Sequence, residues 1–160
     1  MLFRSGHLAL RCIDTSDGVR DYSYRDLKAL TSRFANVLAT LGIARGERVF
    51  VLAGRIPELY VAVLGSLKHR AVACTLFSAF GPEPIRTRLA IGEASVLVTT
   101  AALYRRKVAA LRAGLPRLRH VLLVPGDDER ETASDTLCLG PLMDAASDRY
   151  QIGPTASEDP

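Results

Sequence analysis

Apolar residues recur along this chain of 160 residues in two alternating patterns, short continuous runs and longer stretches with helical spacing. Between residues 23 and 42 they recur at steps of three and four, which places them on one face of a helix. Ser23 and Asp26 have the spacing of a capping box, and Gly42 is the residue type that ends helices in the left-handed conformation. This pattern predicts a helix that begins after Ser23 and stops at Gly42.

Short apolar runs bounded by turn residues predict the strands. Val49–Ala53 has no polar position, so it predicts a strand that is covered on both faces, as strands of parallel sheets are. The predicted strands are Leu8–Ile13, Val49–Ala53, Ala71–Leu76, Ser95–Thr99 and His120–Val124, and the helices after the first are Pro57–His69, Pro82–Ile91 and Ala101–Ala113. The predicted fold class is α/β, with a mostly parallel sheet and right-handed crossovers.

The charge balance changes where this alternation stops. Residues 1–126 carry 19 Lys and Arg against 8 Asp and Glu, whereas residues 127–160 carry 2 against 9. Beyond residue 126 only Pro141–Ala146 has a helical pattern, and residues 153–160 hold nothing apolar enough to dock. We therefore predict an α/β subdomain over residues 1–126, followed over residues 127–160 by an acidic connecting segment and linker that leaves the domain incomplete.

Composition excludes several classes of protein. No apolar stretch is long and uninterrupted enough to span a membrane, and the first residues lack the pattern of a signal peptide. The cysteines at positions 12, 74 and 138 are too few and too far apart for a disulfide framework, which favours a reducing, cytoplasmic setting. The 18 arginines are scattered without an interleaved aromatic stripe, so no nucleic-acid partner is expected.

Motifs that carry chemistry are scarce. Neither glycine-rich phosphate loop pattern occurs, and the serine elbow Gly-x-Ser-x-Gly is also missing. We interpret the acidic run 127–131 as a solvated loop rather than a metal site, and we expect no metal ligands elsewhere. We interpret His7, His69 and His120 as structural or surface residues, and Cys74 as a small core side chain. Five aromatic residues are interpreted as core filling: Tyr24, Phe34, Tyr60, Phe77 and Phe80.

One cluster of cations lies where an open parallel sheet binds its ligands. Arg105, Arg106 and Lys107 follow the strand that ends at Thr99, so they lie one to two helical turns beyond the predicted carboxyl edge. Guanidinium and ammonium groups in that place suit a phosphate. The alternative is an exposed helix face without a ligand, and the residues alone do not decide between the two.

Several motifs, taken in order, resemble a known family. They are Tyr22–Leu27, Phe34–Leu38, Leu41–Val49, Ala53–Leu59 and Leu67–Val72, followed by Phe77–Ile85, Arg88–Leu89 and Val96–Thr100. Together they resemble the N-terminal portion of the adenylate-forming (AMP-binding) acyl-CoA synthetase superfamily, and the last three are most similar to AMP-forming acetate–CoA ligases. The resemblance covers roughly residues 8–124.

This resemblance implies a two-step reaction. A carboxylate such as acetate attacks ATP, with the help of Mg²⁺, to give an acyl-adenylate and pyrophosphate, and the thiol of CoA then displaces AMP. In that family Arg105 matches an arginine that contacts the nucleotide phosphates of CoA, and Arg106 and Lys107 are its neighbours. No catalytic residue is carried over, because the ATP-gripping loop and the catalytic lysine belong to later parts of such enzymes.

The chain is accordingly expected to be an N-terminal fragment that is inactive alone and binds none of these ligands tightly. A truncated, non-catalytic homologue that serves as a binding or partner module is the alternative. Self-association is expected through the sheet edge and the apolar faces that the rest of such a domain would cover.

Overall fold

A five-stranded parallel sheet and a separate two-stranded hairpin form the β-structure of this protein. The structure is a computed structural model that describes residues 4–14, 18–125 and 134–158. A 3₁₀ helix over Ala109–Gly114 follows the fourth α-helix. The other elements are β1 (Leu8–Ile13), β2 (Val19–Ser23), α1 (Tyr24–Thr40), β3 (Arg48–Leu52), α2 (Pro57–Lys68), β4 (Val72–Leu76), α3 (Pro82–Ile91), β5 (Val96–Thr99), α4 (Ala101–Lys107), β6 (His120–Leu123), β7 (Leu137–Cys138) and α5 (Leu139–Ala145).

The parallel sheet has the strand order β4-β3-β5-β6-β7, with β5 in the middle. All four residues of β5 are buried, as expected for a strand that is covered on both faces. Val49 of β3 lies opposite Val96, and Val98 of β5 lies opposite Leu122 on the other side. The predicted α/β class with a parallel sheet is therefore confirmed.

Helices cover both faces of this sheet and divide the core into two clusters. The alternation of side chains along each strand sends Val49 and Val51 of β3 to one face and Phe50 and Leu52 to the other. The first face is covered by α1, α2 and α5, which contribute Phe34, Val37, Leu38, Val61, Ala62 and Leu139. The second face is covered by α3 and α4, which contribute Ile85, Leu89 and Tyr104.

Helix α1 begins and ends as its sequence predicts. The Ser23 hydroxyl accepts a hydrogen bond from the Asp26 amide at 3.2 Å, and the Asp26 carboxylate accepts one from the Ser23 amide at 2.9 Å. Both halves of the capping box are therefore present. Just beyond the other end Gly42 has a φ of +67°, the left-handed conformation that a glycine adopts at little cost.

Close packing of α1 against α2 depends on a glycine in α2. A Cβ atom added to Gly65 would lie 2.8 Å from Cδ1 of Phe34 and 3.0 Å from the carbonyl oxygen of Thr31. The second of these is backbone, which cannot move aside cheaply. Gly65 therefore allows the two helices to approach closely enough to bury Phe34 completely.

The first predicted strand does not join the parallel sheet. β1 pairs antiparallel with β2, and Arg11 lies opposite Asp21, with an ion pair of 2.7 Å between their side chains. None of the six residues of β1 is buried, whereas all four residues of the central parallel strand β5 are, and such exposure is typical of an antiparallel strand with one face open to solvent. Residues 15–17, whose types Thr, Ser and Asp predict a turn after β1, lie outside the described residues.

The fifth place in the parallel sheet is taken by β7, which the apolar pattern did not predict. It has two residues, and Leu137 lies opposite Leu122 of β6. Helix α5 follows at once and begins at Leu139, two residues before the predicted helical segment. The predicted helix over residues 101–113 is also interrupted, because α4 ends at Lys107 and Val108 leaves the α-helical conformation.

Residues 146–154, here called the strap, run along α1 and the end of α2. The guanidinium of Arg33 donates to the carbonyl oxygens of Met143 and Ala146, both at 2.9 Å, and the Asn36 amide donates to that of Ser147 at 2.7 Å. Further along, the strap contacts two residues that follow α2: the Tyr150 hydroxyl lies 2.7 Å from Nδ1 of His69, and the Arg70 guanidinium donates to the carbonyl oxygen of Pro154 at 3.2 Å. The predicted domain division at residue 126 stays a prediction, and the acidic run 127–131 lies outside the described residues.

Candidate functional site

The carboxyl edge of the parallel sheet is the place where an open α/β sheet binds ligands. The strands that end there include β3 at Leu52, β4 at Leu76 and β5 at Thr99. The buried Thr99 hydroxyl donates to the carbonyl oxygen of Leu52 at 2.7 Å, which ties β5 to β3 at this edge. The loops that leave these strands therefore start from fixed positions.

Helix α4 carries the predicted cations away from this edge. Thr100 follows β5 and caps the helix, since its hydroxyl accepts a hydrogen bond from the Leu103 amide at 3.2 Å. Tyr104 is 2% exposed and donates from its hydroxyl to the Asp135 carboxylate at 2.6 Å. Burial first, and then the neighbouring Asp135, raise the pKa of Tyr104 to about 12. One side of α4 is thus anchored in the fold.

The three predicted site residues lie together on α4 but in different surroundings. Arg105 and Arg106 are exposed on the side of the helix away from Tyr104. Lys107 is half-buried, and its Nζ atom donates to the carbonyl oxygens of Ser78 and Phe80. The two arginines are therefore exposed residues, whereas the ammonium group of Lys107 is directed toward the loop after β4.

That loop carries two aromatic rings at the same edge. The ring centroids of Phe77 and Phe80 lie 5.6 Å apart with an angle of 89° between their planes, an edge-to-face arrangement. The guanidinium carbon of Arg88 lies 4.3 Å from the centre of the Phe80 ring. Phe77 is 65% exposed, although the sequence interpretation made it a core residue.

The other aromatic predictions have mixed outcomes. Phe34 is completely buried and fills the core as predicted, and Phe80 is partly buried against the second cluster. Tyr24 and Tyr60 are 56% and 40% exposed, so their interpretation as core residues is wrong. Tyr60 lies on the outer side of α2, where the helix faces neither α1 nor the sheet, and helical spacing alone did not separate the two apolar sides.

The contacts and exposure of the histidines and of Cys74 agree with structural or surface roles. His69 is buried, with its ring between the Tyr150 hydroxyl and the carbonyl oxygen of Ile43, each at 2.7 Å. Burial lowers the pKa of His120, whereas His7 is exposed. Cys74 packs against the second core cluster, and burial raises the pKa of its thiol, which disfavours the nucleophilic thiolate.

The amino edge of the sheet holds the second concentration of charge, around a cleft of about 390 Å³. The Glu47 carboxylate accepts hydrogen bonds from the Ala44 amide at 2.7 Å, the Ser95 hydroxyl at 3.0 Å and the Arg119 guanidinium at 2.6 Å. Burial alone would raise the pKa of Glu47, but these three contacts outweigh it and lower the pKa. The cleft is lined by Glu47, Arg48, Glu93, Ser95, Pro116, Arg117 and Arg119.

Neither a metal centre nor a membrane span is found in the part of the chain that the structure describes. Within residues 4–14, 18–125 and 134–158, His, Cys, Asp and Glu side chains form no group of three that could hold a metal ion. Over the same ranges no helix has the length and apolar character that crossing a membrane requires.

Acyl-CoA ligases are among the solved structures that share this arrangement of sheet and helices. The chain superposes on a Brucella canis acyl-CoA synthetase with a TM-score of 0.86 and 28% identity, covering 96% of this chain and 27% of the other. An anthranilate CoA ligase matches with a TM-score of 0.87 at 19% identity, a likeness of fold alone. The fold is thus that of the corresponding part of the acyl-CoA ligases.

The sequence comparisons identify the family more closely. The model of the AMP-binding enzyme family matches residues 4–152, and the chain belongs to that family. It is 37% identical over 131 residues to an acetyl-coenzyme A synthetase of Bacillus subtilis, covering 81% of this chain and 22% of the relative. It is 30% identical over 151 residues to one of Mycolicibacterium smegmatis, covering 88% and 16%. The chain therefore spans about a fifth of the length of these curated relatives.

Proposed function

We propose that this chain provides the N-terminal α/β layer of a cytoplasmic AMP-forming ligase that resembles acetyl-CoA synthetase. In the proposed reaction a carboxylate oxygen, of acetate or another small acid, attacks the α-phosphorus of ATP and releases pyrophosphate. The CoA thiol then attacks the acyl carbon, and AMP leaves as the thioester forms. The observation that carries this proposal is the 37% identity to a bacterial acetyl-coenzyme A synthetase across 81% of the chain.

For the residues of this chain the proposal assigns a CoA contact at the carboxyl edge. Arg105 and Arg106 are exposed on α4, one to two turns beyond the end of β5. A guanidinium group donates two parallel hydrogen bonds to a phosphate, so this donor set fits the phosphates of CoA. Lys107 belongs to the same cluster, although two of its three donor positions are used by backbone carbonyls.

ATP and Mg²⁺ belong to the proposed reaction of the complete enzyme, and the proposal assigns no described residue to either. The described residues lack a group of carboxylates that suits Mg²⁺. The proposed role of this layer is therefore to bind CoA phosphates and to support the remainder of the enzyme. We expect residues 1–160 alone to be inactive and to bind these ligands weakly.

The test of this proposal is acetate-dependent exchange of pyrophosphate into ATP. Residues 1–160 alone should give no exchange, because they span only 22% of the length of the relative that matches them. A chimera in which residues 4–152 replace the matching part of the Bacillus subtilis enzyme should give exchange that requires acetate. Exchange by the short chain would contradict the inactivity, and a folded chimera without exchange would contradict the proposed reaction.

Self-association is the second part of the proposal. Tyr60, Leu64 and Leu67 lie at positions i, i+4 and i+7 on the outer side of α2 and are 40%, 45% and 56% exposed. β4, beside α2, is an edge strand of the sheet, so its outer backbone groups have no strand partner among the described residues. We propose that two copies associate through this side. Light scattering should show dimers that Leu64→Glu dissociates, whereas a monomer at high concentration would contradict the proposal.

The alternative, a non-catalytic module that partners a complete ligase, uses the same exposed side of α2. It differs from the main proposal in the chimera experiment, because a module without a catalytic role need not support exchange. Failure of the folded chimera, combined with capture of a complete ligase that Leu64→Glu abolishes, would favour the alternative.

A further inference from the structure

The turn between β4 and α3, residues 77–80, presents an aromatic ring at the carboxyl edge. Within this turn the Phe80 amide donates a backbone hydrogen bond to the carbonyl oxygen of Phe77 at 3.0 Å. Phe77 is 65% exposed, although the neighbouring ring of Phe80 meets it edge to face. An exposed ring at the end of a short turn keeps one position only if the turn itself is fixed.

Lys107 supplies that fixation from another element. Its Nζ atom lies 2.7 Å from the carbonyl oxygen of Phe80 and also donates to that of Ser78. Both acceptors belong to the turn, and the two bonds span the position between them. Lys107 is the last residue of α4, which Tyr104 anchors through its bond to Asp135. The turn is thereby joined to a helix that is itself held in the fold.

Two observations show that this contact does more than neutralise a charge. The acceptors of Lys107 are backbone carbonyls, which carry no net charge, so the contact is not an ion pair. Water would solvate the ammonium group equally well, as it does for an exposed lysine. Moreover, Arg88 of α3 stacks on the Phe80 ring, with its guanidinium carbon 4.3 Å from the ring centre. Side chains from α3 and from α4 therefore both contact this turn, Arg88 at the Phe80 ring and Lys107 at the carbonyl oxygens of Ser78 and Phe80.

We propose that Lys107 is a positioning residue, which fixes the 77–80 turn and its exposed Phe77 ring beside α4. This inference deepens the proposed function, since it divides the cationic cluster into Arg105 and Arg106, which meet the ligand phosphates, and Lys107, which arranges the turn. Its first consequence concerns the ligand-free chain. Removal of the Lys107 donors should loosen the turn, whereas removal of a neighbouring exposed cation should leave it unchanged.

The experiment uses the whole chain and needs no ligand. Amide hydrogen exchange of Phe80, measured by NMR, is compared between the original chain and Lys107→Met, Lys107→Arg and Arg106→Met. Lys107→Met keeps the length of the side chain and removes its donors, and Arg106→Met is the matched control one residue away. We expect exchange at Phe80 to accelerate at least about 10-fold in Lys107→Met, to be unchanged in Arg106→Met and to be restored by Lys107→Arg.

A fluorescence readout reports on the ring position. The chain contains no Trp, so Phe77→Trp introduces a single tryptophan at the first position of the turn, whose emission is followed. Adding Lys107→Met should lower its anisotropy and increase its quenching by acrylamide about twofold, and Lys107→Arg should reverse both changes. Unchanged exchange of Val98 in the central strand verifies that the variants are folded. Unchanged exchange at Phe80 in folded Lys107→Met would overturn the proposal.

A titration with CoA separates this inference from the proposed function. If Lys107 positions the turn, Lys107→Met weakens CoA binding by a similar factor at low and high salt, and Lys107→Arg restores it. An effect that disappears at high salt would indicate a direct phosphate contact and would overturn the positioning role. If CoA binds to none of the variants while Phe80 exchange responds as expected, the proposed CoA site fails and the positioning role stands.

Discussion

The two ends of the parallel sheet both carry concentrations of arginine, yet they use them differently. At the amino edge the guanidinium groups of Arg48 and Arg119 lie 2.7 Å and 2.6 Å from the carboxylates of Glu93 and Glu47. At the carboxyl edge Arg105 and Arg106 lie on an exposed helix face. Arg48 and Arg119 of the amino edge thus pair with carboxylates of the fold, while Arg105 and Arg106 lie exposed beyond the edge at which open α/β sheets bind ligands.

This difference explains why net charge alone was a poor guide to function. Residues 1–126 carry 19 basic residues, but at the amino edge Arg119 shares the Glu47 carboxylate with the Ala44 amide and the Ser95 hydroxyl, and Arg48 pairs with Glu93. Even within the carboxyl-edge cluster, Lys107 is directed to carbonyl groups. A cation is a candidate ligand-binding group only after the contacts within the fold are known.

The largest effect on stability should come from the amino edge. Glu47→Ala leaves the Ala44 amide, the Ser95 hydroxyl and the Arg119 guanidinium without their shared acceptor, and we expect a loss of about 2 kcal/mol in the free energy of unfolding. Urea denaturation measures this loss. Glu93→Ala is the control, because the Glu93 side chain is 53% exposed and its ion pair should contribute less than about 1 kcal/mol. Equal losses of unfolding free energy in Glu47→Ala and Glu93→Ala would contradict the special role of the Glu47 network.

The contribution of Glu47 should also depend on pH. Because the pKa of Glu47 is lowered in the folded state, its stabilising effect is present above the unfolded value of about 4.3 and is lost as the pH falls through the folded value. The stability difference between the original chain and Glu47→Ala should therefore be constant near neutral pH and shrink below about pH 4. A difference that grows in acid would contradict the inferred network.

A smaller effect is expected where α4 is anchored. Tyr104→Phe removes the hydroxyl that donates to Asp135, and we expect a loss of about 1 kcal/mol at pH 7. The pKa of Tyr104 is raised to about 12, chiefly by burial, so its contribution is present below about pH 10 and is lost as the pH rises through 12. Denaturation curves of the two proteins should converge over that interval. A difference that is independent of pH would argue against the buried hydrogen bond.

The smallest effect on stability should come from the exposed cations of α4. Arg105→Ala and Arg106→Ala should each change the free energy of unfolding by less than about 0.5 kcal/mol, because both side chains are exposed. Thermal denaturation of both variants provides the measurement. A loss as large as that of Glu47→Ala would show that these arginines also serve the fold, and the contrast between the two edges would disappear.

Local sequence patterns predicted much of the fold. The apolar runs of β3, β4, β5 and β6 indicated strands, that of β3 a strand covered on both faces, and the Ser23–Asp26 capping box located the start of α1. The pairing of β1 with β2 and the two-residue strand β7 were not predicted. Pairing is a long-range property, and a strand of two residues has no period to detect. The break after Lys107 also lacked a glycine or proline signal.

The candidate site was predictable only in part. The order of the motifs placed Arg105 after the β5 strand, and the structure does put it on a helix beyond the carboxyl edge. The partners of Lys107 were not predictable, since they are backbone carbonyls 27 and 29 positions earlier in the chain. Carbonyls are present at every residue, so no side-chain pattern marks the ones that a distant lysine contacts.

The most direct test of the contrast between the edges is an NMR titration of the ¹⁵N-labelled chain with CoA. We expect weak binding, with shifts in the 77–80 turn and in α4, that Arg105→Ala weakens about 10-fold, equivalent to about 1.4 kcal/mol. Arg117→Ala, which removes an equal charge at the amino-edge cleft, should leave the affinity unchanged. Equal affinities for the original chain and Arg105→Ala, or shifts concentrated around Glu47 and Arg119, would contradict the account.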